Sequence, residues 1–478
     1  VSNKRQKIIK TMTAFGGVQF INLVTGVFRS KVAAIWLGSQ GVGFLGLLLS
    51  TFNLIVSALN VGLPTSVIKH LSGASADTLP KAIKIARQLA LIIGVVSALL
   101  CLIFARQLSL TTFETADFTW AFRLLAISVF FKQFSTIYSS ILRSTGRLKQ
   151  LANANIIASI IGIFFTVPLY YYFQLRGIVY NLITLGFVEA IIFYIYFKRL
   201  KINNEKVNKT EFLSQSKKMA GDGFFYNLSS FTELLAAYVL QMFISNYGGL
   251  KILGQYIAGY TILNSYVALI FTVMSIDYFP RLSKNNTQNN LLSEEVNHQL
   301  YIGIIILFPI LLLMLLFSHI FIILIYTKEF MAAEVYLQIA MMGIFFKLFS
   351  WTVSFVLLAK GSRRLIIQNS IIYNIIFLFC HIFGYLADGL RGLAIGYTIY
   401  FLIYLLGNYW QANQLFSVKI ESKNIKTYIA CCVIIMLCIF INFTITDSLL
   451  KKIIISMITI IASAWSLRRL NHIFKWIK

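Results

Sequence analysis

Seven ionisable residues lie inside long apolar runs: Arg29, Lys31, Arg123, Lys132 and Lys347 are basic, Glu189 and Glu233 acidic. A charge at the centre of a membrane-spanning helix costs about 2.5–3.5 kcal/mol on insertion scales, so each marks a candidate function. A net-basic interior suits an anionic ligand, such as a lipid-linked diphosphate, better than an organic cation. Arg123 stands close to an outside boundary, where snorkelling accounts for it as well as a cavity does. Lys31 can snorkel too, on the opposite side of its helix from Arg29. Lys132 and Lys347 lie too deep for that, which leaves a cavity role or structural ion pairing. The carboxylates Glu189 and Glu233 suit a coupling cation, proton or sodium; for Glu233 the alternative is that it only neutralises a neighbouring Lys or Arg.

No residues are grouped for catalysis. There is no GxxxxGK[ST] phosphate loop, no HExxH, no GxSxG and no pair of carboxylates on an outside loop. No enzyme activity, catalytic residue, cofactor or metal is expected. Cys101, Cys380, Cys431, Cys432 and Cys438 all sit in apolar stretches without metal-ligand spacing and read as core filler.

The elements that must position these charges follow from composition. Of 478 residues, 58% are hydrophobic and only 12% charged, and mean hydropathy is +0.78, so the solvent is lipid. Continuous runs such as 302–325 exclude the alternation of an outer-membrane barrel. Fourteen helical spans are expected, near 11–37, 44–62, 88–105, 118–138, 151–172, 178–197, 219–246, 255–276, 300–325, 331–358, 365–386, 393–412, 427–446 and 450–467. The first follows Lys4, Arg5, Lys7 and Lys10 and is too long and too charged for a cleaved signal, so it reads as a span. The net charge of +26 is spread between spans instead of forming one basic face, which excludes nucleic acid as a partner. With the N-terminus inside, inside segments collect about 30 of the 42 Lys and Arg, and outside loops about seven. The positive-inside rule therefore places both termini in the cytoplasm.

The chain also repeats itself. Phe130-Phe131-Lys132-Gln133-Phe134-Ser135 returns as Phe345-Phe346-Lys347-Leu348-Phe349-Ser350, an offset of 215. The same offset pairs Glu114 with Glu329, Gly146 with Gly361, and Leu175-Arg176-Gly177 with Leu390-Arg391-Gly392. An offset of 211 pairs Gly38 with Gly249 and Gly43 with Gly254. Six spans separate the copies, so they are parallel repeats with a substrate site expected between them. The expected division is a six-helix lobe at 1–218, a second at 219–414, and two additional spans at 415–478. Polar residues crowd the first and seventh spans, among them Gln19, Asn22 and Thr25, and Asp222, Asn227 and Gln241, so both should line a hydrated interior. Gly16, Gly17 and Gly26 serve close helix packing better than hinging.

With its polar first span, its 6+6 repeat, the turn Leu37-Gly38-Ser39-Gln40-Gly41-Val42-Gly43, the exit Gly62-Leu63-Pro64-Thr65-Ser66 and Leu142-Arg143-Ser144-Thr145-Gly146-Arg147, the chain resembles the multidrug/oligosaccharidyl-lipid/polysaccharide (MOP) exporter superfamily. Within it the chain is most similar to Wzx-type O-antigen flippases. The resemblance implies two six-helix lobes around a central cationic cavity and an alternating-access mechanism in the bacterial inner membrane. It implies turning an undecaprenyl-diphosphate-linked oligosaccharide from the cytoplasmic to the periplasmic leaflet. The residues add a separate expectation: Asn22 and Arg29 share one face of the first span and Asn22 corresponds to Glu233 at the 211 offset, so Arg29 and Glu233 should both look into the cavity, Arg29 on the diphosphate and Glu233 on a coupling cation. Glycan-assembly membrane proteins, a polymerase among them, are candidate partners. Many Wzx proteins have twelve spans, and fourteen also occur in the lipid II flippase branch, which keeps that substrate open beside a cation-coupled drug exporter. A glycan polymerase is disfavoured by the short outside loops.

Overall fold

The computed structural model describes residues 2–477 except 76, 201, 203, 204, 206, 362 and 446; the side chains of residues 2–18, 20, 225, 226, 363, 448 and 473–477 lie outside the description. Lys4, Arg5, Lys7, Lys10, Gly16, Gly17, Lys475 and Lys478 therefore fall outside the described side chains.

The chain is a multi-pass bundle of α-helices, with no strand among the described residues. In order they are α1 (Ser2–Asn60), α2 (Leu63–Ser72), α3 (Leu79–Ile103), α4 (Ala105–Phe113), α5 (Thr119–Ser144), α6 (Leu148–Lys198) and α7 (Lys209–Thr261). A π-helical turn (Ile262–Val267) leads into α8 (Leu269–Lys284), followed by α9 (Asn289–Leu316), α10 (Ser318–Ile325), α11 (Ala333–Ala359), α12 (Arg363–Phe416), α13 (Ser422–Thr444) and α14 (Ser448–Ile477). Ten stretches among the described residues are long and apolar enough to cross a membrane. Four of them, of 40, 51, 58 and 53 residues, are far longer than the roughly 20 residues one crossing takes. Each of the four is interrupted by non-helical backbone, at Gly38, Gln174, Gly249 and Asp388–Gly389. Counted as separate limbs, they give one helix for each of the fourteen expected spans.

Two expected runs are subdivided. The stretch 300–325 breaks at Phe317, which separates α10 from α9, and α4 stands in the corresponding place after α3. The exit of the second span is a turn, with Val61 and Gly62 both at positive φ and Pro64 in the first turn of α2.

The repeat is written into the backbone. Gly146 and Gly361, 215 apart, both have φ 71°. Gln174 (φ 45°, ψ −121°) and Gly389 (φ 51°, ψ −130°) make the same break at the same offset. Beyond each break the chain folds back on itself: a Cβ at Gly177 would lie 2.0 Å from the Leu169 carbonyl oxygen, and one at Gly392 would lie 1.8 Å from that of Gly384.

By packing, the chain forms two compact units, residues 1–254 and 255–478. Unit 1 includes most of α7, whose backbone touches α1 and the turn into α2. A Cβ at Gly43 would lie 1.9 Å from the Leu250 oxygen, and one at Gly254 would lie 1.9 Å from the Ser39 oxygen. Ser39 and Leu250 are themselves 211 apart, so this contact is reciprocal, as a local two-fold axis makes it. Farther along, Gly62 and Gly223 meet backbone to backbone, Asn227 Nδ2 donates to the Ser57 carbonyl at 2.7 Å, and Lys69 and His70 both reach Asp222, at 3.0 and 3.1 Å. The apolar core of unit 1 joins α2, α3, α5 and α6 through residues such as Val67, Ile83, Ala86, Ile141 and Ala154.

Unit 2 is centred on α11, whose Leu337, Ala340, Phe345, Leu348 and Val353 are fully buried. The last two spans dock on it. Tyr428 of α13 stacks on Phe345 at 4.9 Å and donates to its carbonyl at 3.1 Å, while Trp465 of α14 meets Phe308 of α9 at 6.3 Å. Large apolar side chains face outward along the spans, among them Phe164, Tyr172, Phe379, Trp410 and Ile460, as a lipid solvent requires.

The charge distribution predicts the topology. Reporter fusions after Lys218 and after Lys478 should both behave as cytoplasmic; periplasmic alkaline phosphatase activity at either point would refute fourteen spans with both termini inside.

Candidate functional site

In unit 1 three of the expected charges come together. Arg29, on the first limb of α1, is half-buried against the first limb of α6, where its Nη2 donates to the Ser159 carbonyl at 3.0 Å. Its Nε is shielded from solvent and has no hydrogen-bond partner among the described residues. Gly162 makes the room: a Cβ there would stand 2.6 Å from Nη2. Below the same helix, Thr166, Asn181 and Tyr170 form a buried hydrogen-bonded chain with links of 2.9 and 3.1 Å that ties the two limbs of α6 together. Lys132 of α5 pairs with Glu189 of the second α6 limb at 2.7 Å, and Ser135 donates to the same carboxylate oxygen at 3.4 Å. The Glu189 charge also attracts Arg29. Lys132 is the cation in contact with that carboxylate, and no ion pair joins Arg29 to it among the described residues.

Unit 2 holds the repeat of half this arrangement. Lys347 of α11, the counterpart of Lys132, donates to Asn264 Oδ1 at 2.9 Å and lies 5.2 Å from the Phe401 ring centroid. Tyr397 donates to the same amide oxygen at 3.0 Å. The position 215 residues beyond Glu189 is Tyr404, so the second copy has replaced the carboxylate. Asn264 sits in the π-helical turn that interrupts the eighth span.

The remaining candidates stand apart. Lys31 is half-buried two residues beyond Arg29, and Arg123 is exposed near the start of α5, as a snorkelling side chain would be. Glu233 is exposed on α7, and no cation pairs with it among the described residues. Glu189 is engaged with Lys132, the structural ion pairing that the sequence left open for that lysine beside a cavity role. Sequence reasoning missed Gly162, Asn264 and Phe401. Asn264 carried a usable signal, a lone amide in the middle of an apolar span; Gly162 and Phe401 carried none.

No curated protein matches this chain in sequence. Solved structures match it in fold over nearly its whole length. The lipid II flippase MurJ in an inward closed conformation superposes with a TM-score of 0.73 at 15% identity, covering 97% of this chain and 99% of that one. An inward-facing multidrug resistance MATE transporter of the MOP superfamily gives 0.66 at 15% identity, covering 84% and 94%. A MOP superfamily transporter from Pyrococcus furiosus, described as having a binding pocket of reversed polarity that suggests a different function, gives 0.60 at 13% identity, covering 85% and 96%. At these identities the likeness establishes the fold. The family model for polysaccharide biosynthesis proteins matches residues 32–335, nearly two thirds of the sequence, a range that holds Lys132, Glu189 and Asn264 but neither Arg29 nor Lys347. The chain is a multi-pass membrane protein of the polysaccharide biosynthesis family, built on the MOP fold.

Proposed function

We propose that the protein is a flippase that turns a polyprenyl-diphosphate-linked oligosaccharide, an O-antigen repeat unit, from the cytoplasmic to the periplasmic leaflet of the inner membrane. The observation that carries this reading is Arg29: a guanidinium held inside the bundle by one backbone carbonyl, with a shielded donor to spare. A diphosphate matches its fixed charge and forked donors. Membership of a polysaccharide biosynthesis family supports the glycan cargo. The protein works by alternating access without covalent chemistry, so it is a transporter and not an enzyme. Glu233, exposed and unpaired among the described residues, binds the coupling cation, proton or sodium. Glycan-assembly membrane proteins receive the cargo on the outer face.

Deletion of the gene should abolish surface glycan and leave the lipid-linked oligosaccharide on the cytoplasmic side. Loss of a charge-assisted phosphate contact is worth about 1.5–3 kcal/mol, so Arg29→Ala should lower surface glycan at least tenfold at equal protein level, with Arg29→Lys intermediate. Full surface glycan in Arg29→Ala would refute the diphosphate contact. Transport by Glu233→Gln that equals wild type across a range of pH and sodium concentrations would refute the coupling role.

A second reading, that the cargo is lipid II, is favoured by the full-length match to the fold of a lipid II flippase. The lipid that accumulates on depletion separates the two: a peptidoglycan precursor for lipid II, a repeat-unit precursor for the first reading.

A further inference from the structure

Sharing no lining residue with either charge cluster, unit 2 contains a cavity of about 780 Å³ between α9–α11 and the two last spans, at the end of the unit that the charge distribution assigns to the outer face. The volume lies within the range of roughly 300–1,000 Å³ typical of ligand pockets. Its floor is a hydrogen-bonded chain that crosses from α11 to α13. Ser318 Oγ and Gln338 Nε2 donate to Glu334 Oε1 at 2.6 and 3.1 Å, and Asn442 Nδ2 donates to Gln338 Oε1 at 2.9 Å. Gln338 is buried, so this floor is built into the fold.

One oxygen of the cavity's carboxylate is bonded within its floor, and its two lysines are loosely held. Glu334 is its single carboxylate; one oxygen accepts the two bonds just described, and the other lies 3.7 Å from His319 Nδ1. Lys451 makes only a long contact, 3.4 Å to the Asn442 carbonyl. Lys452 lines the cavity with no hydrogen-bond partner among the described residues. Asp447, which caps α14, is not part of the lining. These two lysines are also adjacent exceptions to the rule that depletes outside loops of cations. The mouth is apolar: Phe317, Ile320 and Phe443 line the cavity and are exposed to lipid, and Leu449, Leu450 and Ile453 continue that surface along α14.

Two adjacent lysines, one weakly bonded and one without a hydrogen-bond partner among the described residues, set inside an apolar rim, match one ligand chemistry. We propose that this cavity binds the phosphate headgroup of an anionic amphiphile in the outer leaflet, with Lys451 and Lys452 on the phosphate and the chain along the rim formed by Phe317, Phe443 and α14. The proposal needs only a membrane-embedded bundle and does not depend on the flippase reading. Two sources supply this chemistry, a bilayer phospholipid and a polyprenyl phosphate.

The test uses the full chain purified in neutral detergent, titrated with phosphatidylglycerol, farnesyl phosphate or phosphatidylcholine and read by native mass spectrometry and thermal shift. Saturable binding of phosphatidylglycerol, of farnesyl phosphate or of both is expected, and which of them binds identifies the source. A Lys451→Gln/Lys452→Gln variant should bind roughly tenfold or more weakly, given about 1 kcal/mol per interfacial cation–phosphate contact. Lys451→Arg/Lys452→Arg should retain binding, which separates lost charge from lost fold. No saturable binding, equal binding of phosphatidylcholine, or unchanged affinity in the glutamine variant would each overturn the proposal.

Discussion

Gly254→Ala should cost about 3 kcal/mol or more of stability and strip most folded protein from the membrane. The added carbon would sit 1.9 Å from the Ser39 carbonyl oxygen and 2.8 Å from its carbon. Both are backbone atoms, which cannot rotate away as a side chain would, and overpacking of this kind costs about 1–3 kcal/mol even where the surroundings yield. Gly43→Ala meets the Leu250 carbonyl at the same distance and should behave alike. Because the two glycines serve one reciprocal contact, the double variant should lose less than the sum of the singles. Gly221→Ala, with nothing within 4 Å of the added carbon, supplies the control and should match wild type or exceed it slightly. Fluorescence-detected size exclusion after a heating series reads all four variants. A Gly254→Ala protein that melts with wild type would remove the close backbone contact from the account.

The second large effect concerns Lys132. Lys132→Met leaves Glu189 without its partner inside a membrane-spanning bundle. Breaking a buried pair costs about 3–5 kcal/mol, but side-chain exposures of 35% and 31% reduce the expectation to roughly 1–3 kcal/mol. Adding Glu189→Gln removes the orphaned charge, so the double variant should regain most of that stability. On the proposed function transport should not return with it, because the cation proposed to help hold the anionic cargo is gone in both variants. Lys347→Met loses only a hydrogen bond to a neutral amide and a ring contact, so it should lower transport with little loss of protein. The measurements are melting temperature and surface glycan, taken on the same strains. Recovery of both in the double variant would make the pair purely structural.

Gln174 shows both how far the sequence could be read and where it stopped being legible. Its φ of 45° and ψ of −121° belong to a region that glycine occupies at little cost and other residues only under strain. Nothing in Gln174 itself signals a break. Its counterpart Gly389 does, and the 215-residue register carries the break from one copy to the other. The paired glycines at 38 and 249 were readable for the same reason, since glycine in an apolar helix marks either a turn or a close approach. Here Gly38 and Gly249 are turns, whereas Gly43 and Gly254 are approaches.

What the sequence determined by itself was every property set by the solvent and by repetition. Lipid fixes how long an apolar run must be, the charge gradient predicts which way it runs, and duplication fixes which residues correspond; all three are one-dimensional. Which charge meets which was decided only by tertiary structure. Lys132 reaches Glu189 across 57 residues, while Lys347, its equal in sequence, meets Asn264 because the second copy has Tyr404 where the first has Glu189. Those contacts depend on how each helix is rotated about its own axis and on where a π-helical turn or a missing side chain lets a neighbour in. Hydropathy constrains that rotation weakly, because an apolar helix in lipid can turn most of its surface outward at little cost.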